Sequence, residues 1–341
     1  LTIRTTVADE GEQAVLQRLQ RYSPPQFVGD DAAALAIAPN HQLIVTTDAL
    51  VDGVHFSDRT TPPEAVGWRA GAANLSDLAA MGAEALGITV SLLLPPQTPV
   101  SWLDALYAGL TNCLNPWNVP IVGGDVCRSP VMALSITALG QAQPAQLIRR
   151  CDARPGDLLL ATGWHGLSGA GLACLLQPQT TRDWPLELRD RCIQAHRYPQ
   201  PRLDVQRWLV QTRPQEQPWR VGGMDTSDGL ADAVLQIARA SRCGAVLTAA
   251  DLPLLPELSR HVGGDKALQW GLYGGEDFEL VLSLTPEWAI ALLTYLGPGA
   301  RIIGQVTAEP EVLLQSGPDQ PPCPLRWDSS FQHFAAESTV A

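Results

Sequence analysis

Six short acidic segments, each set beside glycine, serine or threonine at the edge of an apolar run, constrain this chain more than any other feature. They are Gly29-Asp30-Asp31, Thr46-Thr47-Asp48, Ser76-Asp77, Gly123-Gly124-Asp125, Asp225-Thr226-Ser227-Asp228-Gly229 and Gly274-Gly275-Glu276-Asp277. Strand-like and helix-like stretches alternate between them, which predicts an α/β or α+β architecture. Hard oxygen ligands gathered at strand ends and turns suit Mg²⁺ and, through it, the phosphates of a nucleotide.

The pattern along the chain fills in this outline. Leu43-Ile44-Val45 reads as a short strand running into Thr46-Thr47-Asp48. Thr61-Pro62-Pro63-Glu64 reads as a helix start, with Thr61 as N-cap, Pro62 at the first position and Glu64 completing a capping box. Trp68, Leu75, Leu78 and Met81 follow at helical spacing, and Asn74 and Asp77 project from one side. Residues 86–94 and 131–139 read as strands, with a helix over 99–114 between them. At 341 residues the chain is long enough for two domains, and the pattern breaks near residues 141–156. We therefore expect a division into 1–145 and 146–341. Beyond it come a strand over 158–162, a helix after the small-residue turn 163–171, and a helix with surface connections over 178–220. A long helix is expected after Ser227-Asp228-Gly229, stopping near Cys243-Gly244, and a strand over 278–284.

Composition removes several classes of function. The net charge of −12 argues against nucleic acid or an anionic membrane as partner and would repel phosphates, a conflict that bound divalent cations resolve by reversing the local field. Lys266 is the only lysine, so there is neither a P-loop nor the strand lysine of a protein kinase. Seven scattered cysteines with no Cys-x-x-Cys read as reduced thiols, and with no signal peptide or membrane span in view a cytoplasmic location is expected.

Each motif also has a plainer reading. Gly29-Asp30-Asp31 and Gly274-Gly275-Glu276-Asp277 suit ordinary turns. Ser227 or Asp228 suits an N-cap as well as a phosphate site, and the two roles are compatible. Gly123-Gly124-Asp125 reads as a strand-to-turn site at which a ligand approaches the backbone. His55 reads by itself as a packed histidine. Asp77 is the most telling carboxylate: it sits between Leu75 and Leu78 in an apolar helix, where an unpaired charge is costly. It is expected to hold a metal or, failing that, to pair with an arginine such as Arg69.

In this order the segments closely resemble the thiamine-monophosphate kinase family, of the superfamily that includes aminoimidazole-ribonucleotide synthetase. Asn74 to Ala83 and Gly274 to Leu280 are the most specific stretches. The resemblance implies a two-domain fold: an N-terminal dimerising sheet domain that binds Mg-ATP, and a C-terminal α/β sandwich completing the nucleotide and substrate site. It implies ATP-dependent phosphorylation of thiamine monophosphate to thiamine diphosphate, by a homodimer, with several Mg²⁺ ions. Carried over by motif, Asp31, Thr46, Thr47, Asp48, Asp77, Asp125, Asp225 and Asp228 hold metal, with Asp77 and Asp125 acting in catalysis through it. Tyr107, Gly124, Asp125, Arg150 and Ser227 contact ATP, and Arg149 competes with Arg150 for its place. His55, Glu276 and Phe331 line the acceptor site. No general base is implied, because the accepting phosphate is largely ionised near neutral pH.

The chain departs from the family at Val126 and Cys127, where threonines are usual, and at Ser330-Phe331-Gln332-His333-Phe334, where Gly-Tyr-Asp-His-Phe is usual. Aminoimidazole-ribonucleotide synthetase is the enzymatic alternative, and a catalytically silent Mg-nucleotide-binding regulator the non-enzymatic one.

Overall fold

The computed structural model describes residues 5–317 and 319–327. Two sheets organise it. The first is built from β1 (Gln42–Val51), β2 (Glu84–Leu94), β3 (Ile121–Arg128) and β4 (Ala133–Ala142), in the order β1-β4-β2-β3. β4 runs antiparallel to both β1 and β2, while β2 and β3 are parallel.

After the short helices α1 (Val7–Glu10) and α2 (Glu12–Gln20), the N-terminal half is dominated by α3 (Pro63–Ala80) and α4 (Val100–Leu114). Leu75, Leu78, Leu103, Leu106 and Leu110 of these helices share a core with Ile88, Val90, Leu92, Leu134 and Ile136 of the sheet. The opposite face of the sheet stays open. Along β1 exposed and half-buried residues alternate, and Leu43 and Val45 are 48% and 56% exposed. α3 and α4 meet backbone to backbone: a Cβ on Gly67 would lie 1.9 Å from the Leu106 carbonyl oxygen, and one on Gly109 1.8 Å from that of Glu64.

The second sheet has seven strands: β5 (Leu158–Ala161), β6 (Gly222–Asp225), β7 (Gly244–Thr248), β8 (Leu280–Leu284), β9 (Arg301–Thr307), β10 (Val312–Gln315) and β11 (Cys323–Pro324), ordered β11-β10-β7-β9-β5-β8-β6. Seven helices accompany it: α5 (Leu167–Leu176), α6 (Leu186–Arg197), α7 (Asp204–Thr212), α8 (Leu230–Ser241), α9 (Pro256–Val262), α10 (Gly264–Tyr273) and α11 (Pro286–Leu293). Val234, Ile237 and Ala238 of α8 share a core with Leu247, Val281 and Ile303. Trp288 of α11 lies fully buried among Leu160, Leu209, Leu282 and Leu284. Ala79 and Ala80, the last turn of α3, belong to this same cluster, so α3 reaches from the first sheet to the second. No described helix is long and apolar enough to cross a membrane.

Several boundaries differ from the sequence reading. Thr46-Thr47-Asp48 lie in the middle of β1, and Gly123-Gly124-Asp125 lie within β3 instead of in a turn. A strand with one open face tolerates polar residues, so the polar motifs do not end it. α3 starts at Pro63 with Pro62 as its cap and no side-chain cap bond, while the Thr61 hydroxyl meets that of Thr60 at 3.0 Å. α8 is capped by Arg242 in the left-handed region (φ 55°), and Gly244 opens β7. The stretch 178–220 holds two helices, α6 and α7.

Candidate active site

The two halves enclose a cavity of about 860 Å³ between β1, α3, the start of α5, α6 and the segments 225–228 and 273–278. Its polar residues fall into two groups.

One wall is acidic, with Asp48, Asp77, Asp225 and Asp228 all lining the cavity. Asp77, Asp225 and the backbone of Asp48 are held by neighbouring elements. Thr46 on β1 donates its hydroxyl to the Asp77 carboxylate across to α3. Asn74, one turn before Asp77, accepts the Asp48 backbone N–H (3.2 Å) and donates to the Ala70 carbonyl (3.0 Å). Asp225, 3% exposed at the end of β6, accepts hydroxyls from Ser76 (2.8 Å) and Ser227 (3.1 Å).

Asp48, Asp77 and Asp225 are crowded, and burial outweighs the groups that favour their charged forms. Burial, then Asp77 and Asp228, push the Asp48 carboxyl up to about 6. Burial, then Asp77 and Asp48, push Asp225 up to about 7 against its two serine hydrogen bonds. Asp77 is also raised, burial outweighing the Thr46 hydroxyl and the charge of Arg150. A wall of mutually repelling oxygen donors is chemically matched to a divalent cation. Among the described residues no three Asp, Glu, His or Cys side chains already converge on one metal position. Such an open arrangement suits Mg²⁺, which keeps waters and takes one or two carboxylates together with substrate phosphates.

The cavity is also lined by His55, Glu276 and an apolar surface including Val54, Phe56, Leu172 and Leu176. His55 Nδ1 accepts the Val51 backbone N–H at 3.1 Å, so in the neutral ring the hydrogen sits on Nε2. Glu276 adopts a positive φ of 65° and Phe278 one of 51°, a sparsely populated conformation for residues with a Cβ. The loop is held there by the Glu276 N–H on the Ser227 carbonyl (2.8 Å) and by Asp277, which accepts the Gly166 (2.6 Å) and Ser168 (2.9 Å) backbone N–H groups at the start of α5. Burial, opposed by these two bonds, pushes Asp277 up to about 7.

The cavity thus brings together Thr47, Asp48, His55, Asp77, Asp225, Ser227, Asp228 and Glu276, from segments far apart in sequence. Other expected residues lie elsewhere. Asp31 is exposed on the connection before β1, and Asp125 is exposed on β3, where it accepts the Cys127 thiol at 3.1 Å. A Cβ at Gly124 would fall 2.2 Å from the Val90 carbonyl oxygen, so close strand packing by itself demands glycine there. Tyr107 is 4% exposed in the N-terminal core, its ring 5.1 Å from that of Tyr22, and does not reach the cavity. Arg150 bonds Gln236 and borders a second hollow of about 650 Å³ with Arg239 and Trp327; its charge acts on Asp77, whereas Arg149 pairs with Asp152 at 3.8 Å. Phe331, with the rest of Ser330 to Phe334, lies outside the described residues.

Arg69 does not pair with Asp77: it bonds Glu276 and His196 instead. Ser76, Ser168 and His196 were not anticipated in any site role. Ser76 was visible inside a motif, but nothing local marks Ser168 or His196.

Comparison with known proteins identifies the family and the fold. Residues 29–142 match the family model of the AIR synthase related protein N-terminal domain, and residues 154–315 that of its C-terminal domain. The chain is 51% identical over 329 residues to a thiamine-monophosphate kinase of Synechococcus elongatus, covering 96% of this chain and 98% of the relative. It superposes on the crystal structure of thiamine-monophosphate kinase from Stenotrophomonas maltophilia K279a with a TM-score of 0.77 at 30% identity, covering 89% of this chain and 96% of that one. A structure of AaThiL complexed with AMPPCP and TMP matches with a TM-score of 0.71 at 27% identity, covering 95% and 99% of the two chains.

Proposed function

This chain belongs to the thiamine-monophosphate kinase family of the AIR synthase related proteins, and on that premise we propose that it transfers the terminal phosphoryl group of ATP in line to thiamine monophosphate, giving thiamine diphosphate. The observation that carries this reading is one cavity of about 860 Å³ whose lining joins four aspartates to His55, Glu276 and an apolar surface. The solved relative named with both AMPPCP and TMP supports two ligands on this fold.

Asp48, Asp77, Asp225 and Asp228 would hold Mg²⁺, with Thr46 and Thr47 beside them; Asp31 and Asp125 rest on the resemblance alone. Several Mg²⁺ ions, when bound, supply charge neutralisation and alignment for two polyanions. The residues prepare for this. Ser76 and Ser227 orient both oxygens of Asp225, Thr46 orients Asp77, and Asn74 ties α3 to the β1 backbone beside Asp48. Ser227, which lines the cavity, and Arg150, whose charge acts on Asp77 from beside the second hollow, would meet the nucleotide phosphates, with Gly124 and Tyr107 kept as further nucleotide contacts by the resemblance only. His55 and Glu276 would hold the acceptor, with Phe331 assigned there by resemblance. The accepting phosphate oxygen is already largely deprotonated near neutral pH, so no side chain has to remove a proton.

We further propose residues 1–145 and 146–341 as the two domains, a homodimer built on the open face of the first sheet, and a cytoplasmic setting. The seven free cysteines and the exposed Leu43 and Val45 support these last two readings.

The test is release of ADP from ATP and Mg²⁺ with and without thiamine monophosphate. ADP formed only with the acceptor present, and abolished by chelation, is expected. ADP formation indifferent to the acceptor would refute the assignment.

A further inference from the structure

We propose that Arg69, locked by His196 and Ser168, is a positioning residue that fixes the Glu276 carboxylate at the acceptor end of the cavity and so governs acceptor binding separately from ATP binding. The inference rests on the reading of Glu276 as an acceptor contact.

Arg69 is 2% exposed within α3, and a guanidinium that deep must have its N–H groups engaged. Its Nη2 donates to Glu276, and its Nη1 meets His196 Nε2 at 3.0 Å. A guanidinium has no acceptor, so Nε2 must contribute the lone pair. The His196 ring is therefore neutral, with its hydrogen on Nδ1, and Nδ1 donates to Ser168 Oγ at 3.1 Å. Burial, followed by the charges of Arg69 and Arg197, pushes His196 down to about 3, so this tautomer persists at any physiological pH.

The result is a directed chain from α5 through α6 to α3 and onto Glu276. The start of α5 grips the loop twice: through the backbone N–H of Ser168 on Asp277, and through the hydroxyl of Ser168 by way of His196 and Arg69. That double hold matches the need of Glu276, whose backbone sits at a positive φ that relaxation would otherwise relieve. Arg69 and Asp77 stand eight positions apart on one helix, a separation of about 12 Å along its axis, so the guanidinium acts on the Glu276 carboxylate at a distance from Asp77.

The decisive experiment is a kinetic double-mutant cycle with Ser168→Ala and Glu276→Gln, measuring KM for thiamine monophosphate and for ATP. Ser168→Ala, the mildest change, is expected to raise the acceptor KM about fivefold with the ATP KM within about twofold, and to have no further effect once Glu276 is Gln. His196→Gln, whose amide oxygen can accept from Arg69, should restore most of what His196→Leu loses. An unchanged acceptor KM in Ser168→Ala, a parallel rise in both KM values, or additive effects with Glu276→Gln would overturn the positioning role alone. An unchanged acceptor KM in Glu276→Gln would overturn the reading of Glu276 itself, and the positioning role with it.

Discussion

The acidic wall gives the sharpest residue-level expectations. Asp77 stands between Thr46 and the neighbouring carboxylates, and Asn preserves its shape and its ability to accept the Thr46 hydroxyl while removing the charge. Asp77→Asn should lower kcat by roughly a hundredfold or more with the melting temperature preserved or raised, because the variant also relieves repulsion. Near-normal turnover at saturating Mg²⁺ would remove Asp77 from the metal-binding set.

The raised carboxyls also predict a pH dependence. In a fold that raises a carboxyl from its ordinary 3.8 to about 6 for Asp48 and about 7 for Asp225, the native state binds protons more tightly than the unfolded chain. Their stabilisation of the metal-free protein is full below the ordinary value and disappears as pH rises through about 6 and then about 7. Thermal melting without metal should therefore fall from about pH 4 to about pH 7 and level off above that, and the Mg²⁺ concentration needed for half-maximal activity should rise as pH is lowered through about 7 and then about 6. A flat melting profile together with a pH-independent Mg²⁺ requirement would contradict the assignment.

At the scale of elements, α3 carries most of the account. It supplies Asn74, Ser76 and Asp77 to the acidic wall and Arg69 to the acceptor end, and its last turn packs into the second half. Its position is set by α4 through contacts that admit no side chain. Because a Cβ at Gly109 would stand 1.8 Å from the Glu64 carbonyl oxygen, Gly109→Ala must push the helices apart. We expect it to destabilise the protein by about 2–3 kcal/mol, read as a lowered melting temperature, and to reduce activity through the displaced α3. Unaltered melting would mean the two helices are not in backbone contact.

α3, β2 and β4 are legible in the sequence from long runs of apolar residues, and β8 from a short, nearly continuous apolar run that is buried at every position. β1 and β3 were foreshortened, because Thr46 to Asp48 and Gly123 to Asp125 are polar residues inside strands whose outer face is open. The cap of α3 was misplaced because two consecutive prolines satisfy its start without a side-chain bond.

For the whole molecule, the carboxylates of the site were legible as motifs, since glycine, serine and threonine mark each one. The tie from Ser168 through His196 to Arg69 was not, because Arg69 and His196 are 127 positions apart and neither lies in a distinctive local pattern. Only the fold brings them together. The open face of the first sheet, with Leu43 and Val45 exposed, is where a second copy of the chain is expected to dock. Val45→Glu should then shift the protein from dimer to monomer in sedimentation; an unchanged mass, or a wild-type monomer, would place the interface elsewhere or remove it.

If one cavity holds both ligands, the terminal phosphoryl group of ATP must end on thiamine monophosphate. Supplying ATP labelled in its terminal phosphate, with Mg²⁺ and thiamine monophosphate, and locating the label shows whether it does. We predict one label in the terminal phosphate of thiamine diphosphate for each ADP formed. Label appearing in inorganic phosphate, or thiamine diphosphate without label, would contradict it.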